Sequence, residues 1–329
     1  MKIGLWAPRG GRMDMNGRGS KEEPTGLASF NYSVDVIQTA ERAGFDITLV
    51  AQRYIGQDLD GWILASALAP VTKTIELMVA IHPGILTPGV VAKMGASLDQ
   101  ISNGRFAINL VNGWWQEEMN TYGNGAWIDR SDARYRRMEE FIDVVKGLWK
   151  EDKLDYDGEF FKVAGGVLPA KPVRQPNPPF YAASRSETGM NIIASKGECW
   201  FAVVEPWYRE FEANFGVIRD GIAGMRERAS RYGRTLGYGI SAAVICSPDG
   251  SEAEAIADDL EQRSKDRSQG GTSISALGAG LVGSPQRIAD RIRRYEDAGV
   301  TCLMLRFPHM MDGVTNFAEH VMPLLDRKR

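Results

Sequence analysis

Short apolar runs rich in Val, Ile and Leu alternate along the chain with longer stretches whose apolar residues recur every three or four positions. The first kind reads as buried strand and the second as amphipathic helix. Strands are predicted near Lys2 to Ala7, Asp46 to Ala51, Ile75 to Ile81, Phe106 to Val111, Pro179 to Ala183, Cys199 to Val203, Tyr238 to Cys246 and Thr301 to Phe307. Strand and helix in strict alternation build a parallel sheet covered by helices, and eight such units predict a closed (β/α)8 TIM barrel.

The helix boundaries carry their own signals. Ala43-Gly44-Phe45, Lys196-Gly197-Glu198 and Ala298-Gly299-Val300 each place a glycine where a helix can end in a left-handed residue. Thr87-Pro88 and Ser284-Pro285 pair a hydroxyl cap with a proline suited to the first helical position. From Ser131, one face carries Tyr135, Met138, Phe141, Ile142, Val145 and Leu148 and is predicted to be buried. Two insertions interrupt the repeat. Tyr156-Asp157-Gly158-Glu159-Phe160 signals a hairpin after helix 4, and the Ser- and Gly-rich stretch over 264–283, after helix 7, reads as a mobile loop that could cover a barrel site.

Composition narrows the function more than the fold. All 329 residues are assigned to a single barrel domain, because 43% apolar and 25% charged residues supply a full core. Thirty-nine basic against 42 acidic side chains, with no long run of like charge, argue against nucleic acid or an anionic membrane as partner. The first residues hold too short an apolar run for a signal peptide, and a cytoplasmic location is expected. Cys199, Cys246 and Cys302 fall in predicted strands and read as buried thiols, while His82, His309 and His320 lack metal-ligand spacing.

Barrel active sites form at the C-terminal ends of the strands. Those positions hold Trp6, Ala51 and Gln52, His82, Asn112 to Trp114, Ser184 to Ser186, Phe201 to Glu205, Ser241 to Ala243, and Arg306 to His309. The set is aromatic and amide-rich and offers neither a nucleophile beside a base nor paired carboxylates, so it suits a planar organic cofactor and a small substrate better than hydrolysis. Ser184-Arg185-Ser186, followed by Gly189 at the start of a helix, has the elements of a phosphate site, to which Arg134 and Tyr135 could add a cation and a phenol. Gly278-Ala279-Gly280-Leu281-Val282-Gly283 matches G-x-G-x-x-G, but no acid stands twenty residues beyond it, and it is read as loop flexibility.

Ser102-Asn103-Gly104-Arg105, Asn109-Leu110-Val111-Asn112-Gly113-Trp114 and Arg134-Tyr135 resemble the bacterial-luciferase-like flavin monooxygenases, particularly the dimethyl sulfone, alkanesulfonate and pyrimidine subgroup. The likeness runs from Met1-Lys2-Ile3-Gly4 through Ala43-Gly44-Phe45-Asp46 and Val282-Gly283-Ser284-Pro285 to Val321-Met322-Pro323-Leu324. It implies a two-component enzyme that receives FMN as FMNH2 from a separate NAD(P)H-dependent flavin reductase, uses O2 as cosubstrate, and forms a homodimer or homotetramer. It also implies Ala51 and Gln52 beside the flavin ring, Asn109 and Glu118 as its polar contacts, and Arg134, Tyr135, Ser184 and Ser186 around the phosphate. Asn109 and His309 become the candidate catalytic groups, and Trp6, His82, Trp114, Phe201 and Phe307 the candidate substrate pocket.

Departures from the family pattern bear on substrate. Ser241 and Ala243 stand where the alkanesulfonate enzymes carry Arg and His, Phe307 where they carry Tyr, and Ala80 where the pyrimidine enzyme carries Thr. A site without a cation is therefore expected, and with it a small neutral organosulfur compound or N-heterocycle, cleaved at a C-S or C-N bond. The alternatives left open are a deazaflavin-dependent oxidoreductase, an alkanesulfonate monooxygenase and a non-catalytic flavin-binding protein.

Overall fold

The computed structural model describes residues 1–9, 26–56, 58–113, 115–203, 208–265 and 276–325. Eight parallel strands close into a barrel: β1 (Lys2–Trp6), β2 (Ile47–Val50), β3 (Glu76–Ile81), β4 (Phe106–Leu110), β7 (Phe180–Ala183), β8 (Cys199–Ala202), β9 (Gly237–Ala243) and β12 (Cys302–Arg306). Going round the barrel the order is β1, β12, β9, β8, β7, β4, β3, β2, so β7 stands opposite β1. Seven of the strands lie within a residue or two of their expected places, because a parallel strand buried on both faces leaves an apolar run that is hard to misread; the run expected from Tyr238 to Cys246 instead ends at Ala243, and Ile245–Cys246 forms a separate short strand outside the barrel.

Side-chain alternation divides every strand between two cores. Ile3, Leu5, Leu77, Val79, Ile108, Leu303 and Leu305 face the surrounding helices, while Ile47, Leu49, Met78, Ala107, Tyr181, Cys199, Phe201 and Met304 fill the barrel. At its N-terminal end Glu76 accepts hydrogen bonds from Arg174 (2.6 Å), Lys2 (3.1 Å) and Tyr181 (3.2 Å). Glu76→Ala removes a buried carboxylate that joins three elements and is expected to lower stability by about 2–3 kcal/mol, read from urea unfolding; a loss under about 0.5 kcal/mol, typical of a neutral surface site, would contradict this.

Helix α5 (Ser131–Lys150) buries Met138, Phe141, Ile142, Val145 and Leu148 as its spacing predicts. The insertion behind it is a hairpin of β5 (Leu154–Asp157) and β6 (Lys162–Gly166). Its turn is not a tight Asp-Gly pair: residues 158–161 loop round the Glu140 carboxylate, which accepts from the backbone N–H groups of Glu159, Phe160 and Phe161. Gly44 and Gly299 adopt left-handed φ of 91° and 105°, but Gly197 is extended at φ −82°. Its missing side chain serves close packing instead, since a Cβ would lie 3.0 Å from the Ile193 carbonyl oxygen. Ser284 caps its helix by accepting from the Arg287 N–H, whereas the Thr87 side chain makes no cap bond.

The second insertion departs further from expectation. Helix α8 (Gly250–Lys265) continues past Ser264, and residues 276–283 are packed rather than loose. Leu277, Leu281 and Val282 are fully buried, and β11 (Val282–Gly283) pairs with β10 (Ile245–Cys246). The glycines of the G-x-G-x-x-G stretch thus serve tight packing: Gly280, at φ +69°, would place a Cβ 2.7 Å from the Phe211 ring. The remainder of the expected mobile loop, 266–275, lies outside the described residues. Cys199 and Cys302 are buried free thiols, as read from their strands, while Cys246 is half-buried. No described helix is long and apolar enough to cross a membrane.

Candidate active site

The C-terminal mouth of the barrel holds a cavity of about 220 Å³ whose lining includes Trp6, Leu49, Asn109, Phe201, Ser241 and Arg306. These side chains share the inward register of their strands, and most of the wall is apolar. Trp6 donates from its indole N–H to Ser241 Oγ (3.2 Å), and the Arg306 guanidinium lies 3.4 Å from the centre of the Trp6 ring. Arg306 is only 5% exposed. Burial, with the like charges of Arg9 and Arg53, pushes it down to about 9, so it remains a cation at neutral pH. The expectation of a site without a cation is thereby overturned.

A second constellation sits at the end of β7, where helix α6 (Glu187–Lys196) begins. Ser184 Oγ donates to Tyr135 OH (2.9 Å) and lies 3.2 Å from Ser186 Oγ, which in turn accepts from the Gly189 N–H (3.1 Å). Gly189 is required here: a Cβ would fall 2.6 Å from Tyr135 Cζ and closer still to Ser184 Oγ. Three hydroxyls over the positive end of a helix, with room kept by a glycine, fit a phosphate group. Arg134 does not join them, because it donates to the Ile128 and Asp129 carbonyls and covers the Trp127 ring at 4.4 Å.

Other expected site residues support the mouth without lining the cavity. Gln52, 5% exposed, spends its amide on the Gly61 N–H (2.5 Å) and Asp60 (2.8 Å), pinning the turn after β2 beside Ala51. Glu118, fully buried on α4 (Gln116–Tyr122), accepts from the backbone N–H groups of Tyr54 (2.6 Å) and Ile55 (3.3 Å). Its other oxygen lies 3.7 Å from Nδ1 of His82, whose burial lowers its pKa and keeps it neutral despite the carboxylate. Trp114 lies outside the described residues.

Phe307 and His309 are elsewhere. Continuing the alternation of β12, Arg306 points into the barrel and Phe307 out of it, where it packs on Phe317 and fills the space beside Gly313. Together with His309 it borders a separate cavity behind β10, near Cys246, Asp259 and Asn316. The structure therefore brings together Trp6, Asn109 and Phe201 at one cavity and Tyr135, Ser184 and Ser186 at one cradle, and separates His309 from both.

Residues 1–302 match the family model of the luciferase-like monooxygenases. The chain belongs to the luciferase-like monooxygenase family. A relative within it, the FMNH2-dependent dimethylsulfone monooxygenase of Pseudomonas putida, is 28% identical over 360 residues, covering 99% of this chain and 95% of that one. Among solved structures, the EDTA monooxygenase of Chelativorans sp. BNC1 superposes with a TM-score of 0.80 at 20% identity, over 98% of this chain and 93% of its own. The coenzyme F420 dependent tetrahydromethanopterin reductase of Methanopyrus kandleri does so at 0.72 and 16% identity, over 98% of each chain. Both structures share the barrel alone.

Membership makes the protein a flavin-dependent monooxygenase, in which the cofactor carries the redox chemistry and the barrel mouth need supply only position and electrostatics. Arg306 is the residue that reading by strand ends passed over in favour of its neighbours. The signal was present in the sequence, since Cys302, Met304 and Arg306 form one period-two set and Phe307 belongs to the other.

Proposed function

We propose that this luciferase-like monooxygenase takes reduced FMN from a separate NAD(P)H-dependent reductase and uses O2 to oxygenate a small organosulfur compound of the sulfone type, with cleavage of a C-S bond. The observation that carries the reading is the presence of two adjoining sites at one barrel mouth. A hydroxyl cradle at the end of β7, built by Tyr135, Ser184 and Ser186, adjoins a largely apolar cavity whose lining runs from Ala183 on β7 to Trp6 on β1 and Arg306 on β12. Tyr135, Ser184 and Ser186 would hold the phosphate of a ligand, with the cavity beside it left for the reacting groups. The dimethylsulfone monooxygenase among its relatives supports both the cofactor and the substrate class.

When bound, reduced FMN supplies the two electrons for oxygen activation. The chain's own residues do the rest. Tyr135, Ser184, Ser186 and the first N–H groups of α6 hold the phosphate. Gln52 and Glu118 fix the loop that follows β2. Asn109 offers an amide to the polar edge of the ring, and Phe201, Leu49 and Met304 keep water from the reacting centre.

The test is anaerobic titration with photoreduced FMN and with a reduced deazaflavin, followed by admission of 18O2 in the presence of dimethyl sulfone. Saturable binding of reduced FMN and label in the organic product are expected. Preference for the deazaflavin, or turnover indifferent to air, would reject the reading.

A further inference from the structure

Strand β9 turns little bulk into the barrel: its inward positions include Gly237, Gly239 and Ser241, alternating with the outward Tyr238, Ile240 and Ala242. The neighbouring strand fills part of the room this leaves, because Phe201 on β8 pairs with Gly239 and its ring lies against that residue. We infer that Phe201, laid on β9 by the missing side chain of Gly239, is the size gauge of the mouth cavity: it sets the depth of the pocket, admits the short alkyl arm of dimethyl or diethyl sulfone and discriminates against longer ones. The inference rests on the proposed function for its substrate class and on the packing for its size limit.

Three observations make the ring the floor of the cavity. A Cβ at Gly239 would lie 2.6 Å from Phe201 Cδ1, 3.1 Å from Cζ and closest of all to Cε1. The φ of Gly239 is not left-handed, so the ring and not the backbone requires a glycine here. Toward the N-terminal end of the barrel, Phe201 rests on the Tyr181 ring, with centroids 5.9 Å apart and planes inclined by 33°, and Tyr181, Cys199 and Cys302 fill that part of the core. On the other side lies the cavity, which Phe201 lines together with Ala183, its partner on β7, and with Ser241, two residues beyond Gly239.

The cavity therefore responds to the two residues in opposite directions. A close-packed interior yields only where there is space, so a methyl group at position 239 pushes the ring into the cavity and makes it shallower, while truncation of the ring deepens it. The scale of the cavity makes this matter for selectivity. An apolar cavity of about 150 Å³ takes up benzene, so one of about 220 Å³ has room for roughly nine heavy atoms. Dimethyl and diethyl sulfone fall within that limit, and di-n-butyl sulfone exceeds it. One methylene in a hydrophobic pocket is worth about 10–200-fold in discrimination, so a floor moved by the size of a ring is readable in affinity.

Ligand-observed NMR titration of symmetric dialkyl sulfones reads the gauge, because whichever arm points inward is the one lengthened. The chain is titrated with and without oxidised FMN, and dialkyl ketones of the same lengths are run in parallel; each variant is checked for folding by its melting curve. The wild type is expected to bind di-n-butyl sulfone at least about tenfold more weakly than diethyl sulfone. In Phe201→Ala that ratio is expected to fall to within about threefold, and in the milder Phe201→Leu part of the way. In Gly239→Ala diethyl sulfone itself is expected to lose at least about tenfold relative to dimethyl sulfone. Ratios that stay at the wild-type value in the Phe201 variants overturn the inference, and a ratio unmoved in folded Gly239→Ala overturns the part assigned to the glycine. A wild type that binds neither series, or binds both without regard to length, overturns it as well, as does Phe201→Ala altering affinity for FMN alone, which would assign the ring to the cofactor. A gauge seen with the ketones in a protein that neither binds nor turns over sulfones would refute the proposed function and leave the size limit supported.

Discussion

Replacing both cradle serines, Ser184→Ala with Ser186→Ala, is expected to weaken FMN binding by at least about 3 kcal/mol, roughly 100-fold, while leaving the affinity for riboflavin within about threefold. Hydrogen bonds to a charged group contribute about 1.5–3 kcal/mol each, and the two hydroxyls sit 3.2 Å apart over the α6 N-terminus, where one phosphate can meet both. Ser186 is also the N-cap of α6, accepting from Gly189, so its loss costs about 1 kcal/mol of helix stability by itself. Comparing the two flavins removes that contribution, because only FMN carries the phosphate. Fluorescence titration of both flavins checks the result. Equal losses for FMN and riboflavin would mean that the cradle shapes the mouth without holding phosphate, and unchanged FMN affinity would place the phosphate elsewhere.

The barrel was legible because its signal is redundant. Eight apolar runs such as Leu77 to Ile81 are buried on both faces and need no correct register to be seen. The cradle was legible for a different reason: Ser184, Ser186 and Gly189 are local in sequence, and the conformation that gathers them is the start of one helix. The mouth cavity was less legible, because its makeup depends on which parity of each strand faces inward. At β12 the parity decides between a cation and an aromatic ring. Phe307 belongs with Leu303 and Leu305 in the outer core, and the absence of an Arg at Ser241 on β9 said nothing about a cation arriving from β12.

Gln52 and Glu118 show a second limit. Both stand near the mouth, but their polar atoms are spent on backbone N–H groups of the loops after β2, at Gly61 and at Tyr54 and Ile55. Buried polar atoms must find partners, and which partner wins is a matter of tertiary distance that spacing along the chain does not encode. The same holds for Gly278 to Gly283. Glycine marks both loose and very tight backbone, and here the tight reading applies, with Gly280 pressed on Phe211.

The other large effect expected lies below the site, at Gly4. Gly4→Val should destabilise the fold by about 3 kcal/mol and impair the mouth cavity as well. A Cβ at Gly4 would stand 2.5 Å from Ile47 Cγ2, 2.6 Å from the Ile47 carbonyl oxygen and 2.7 Å from Met304 Sδ. Two of those atoms belong to side chains that could shift, but the carbonyl belongs to β2, which pairs with β1 at this residue, so relief requires the strands to part. Trp6 follows two residues later on the same inward face, and any displacement there carries the indole away from Ser241 and from beneath Arg306. Gly216→Ala supplies the contrast: nothing lies within 4 Å of its Cβ position in the helix Phe211–Ser230, so the change should stabilise by about 0.5–1 kcal/mol. Urea unfolding of both variants, together with turnover of dimethyl sulfone by Gly4→Val, checks the pair. If Gly4→Val unfolds like the wild type, the barrel can open between β1 and β2 at little cost, and the tight inner packing here does not hold Trp6 in place.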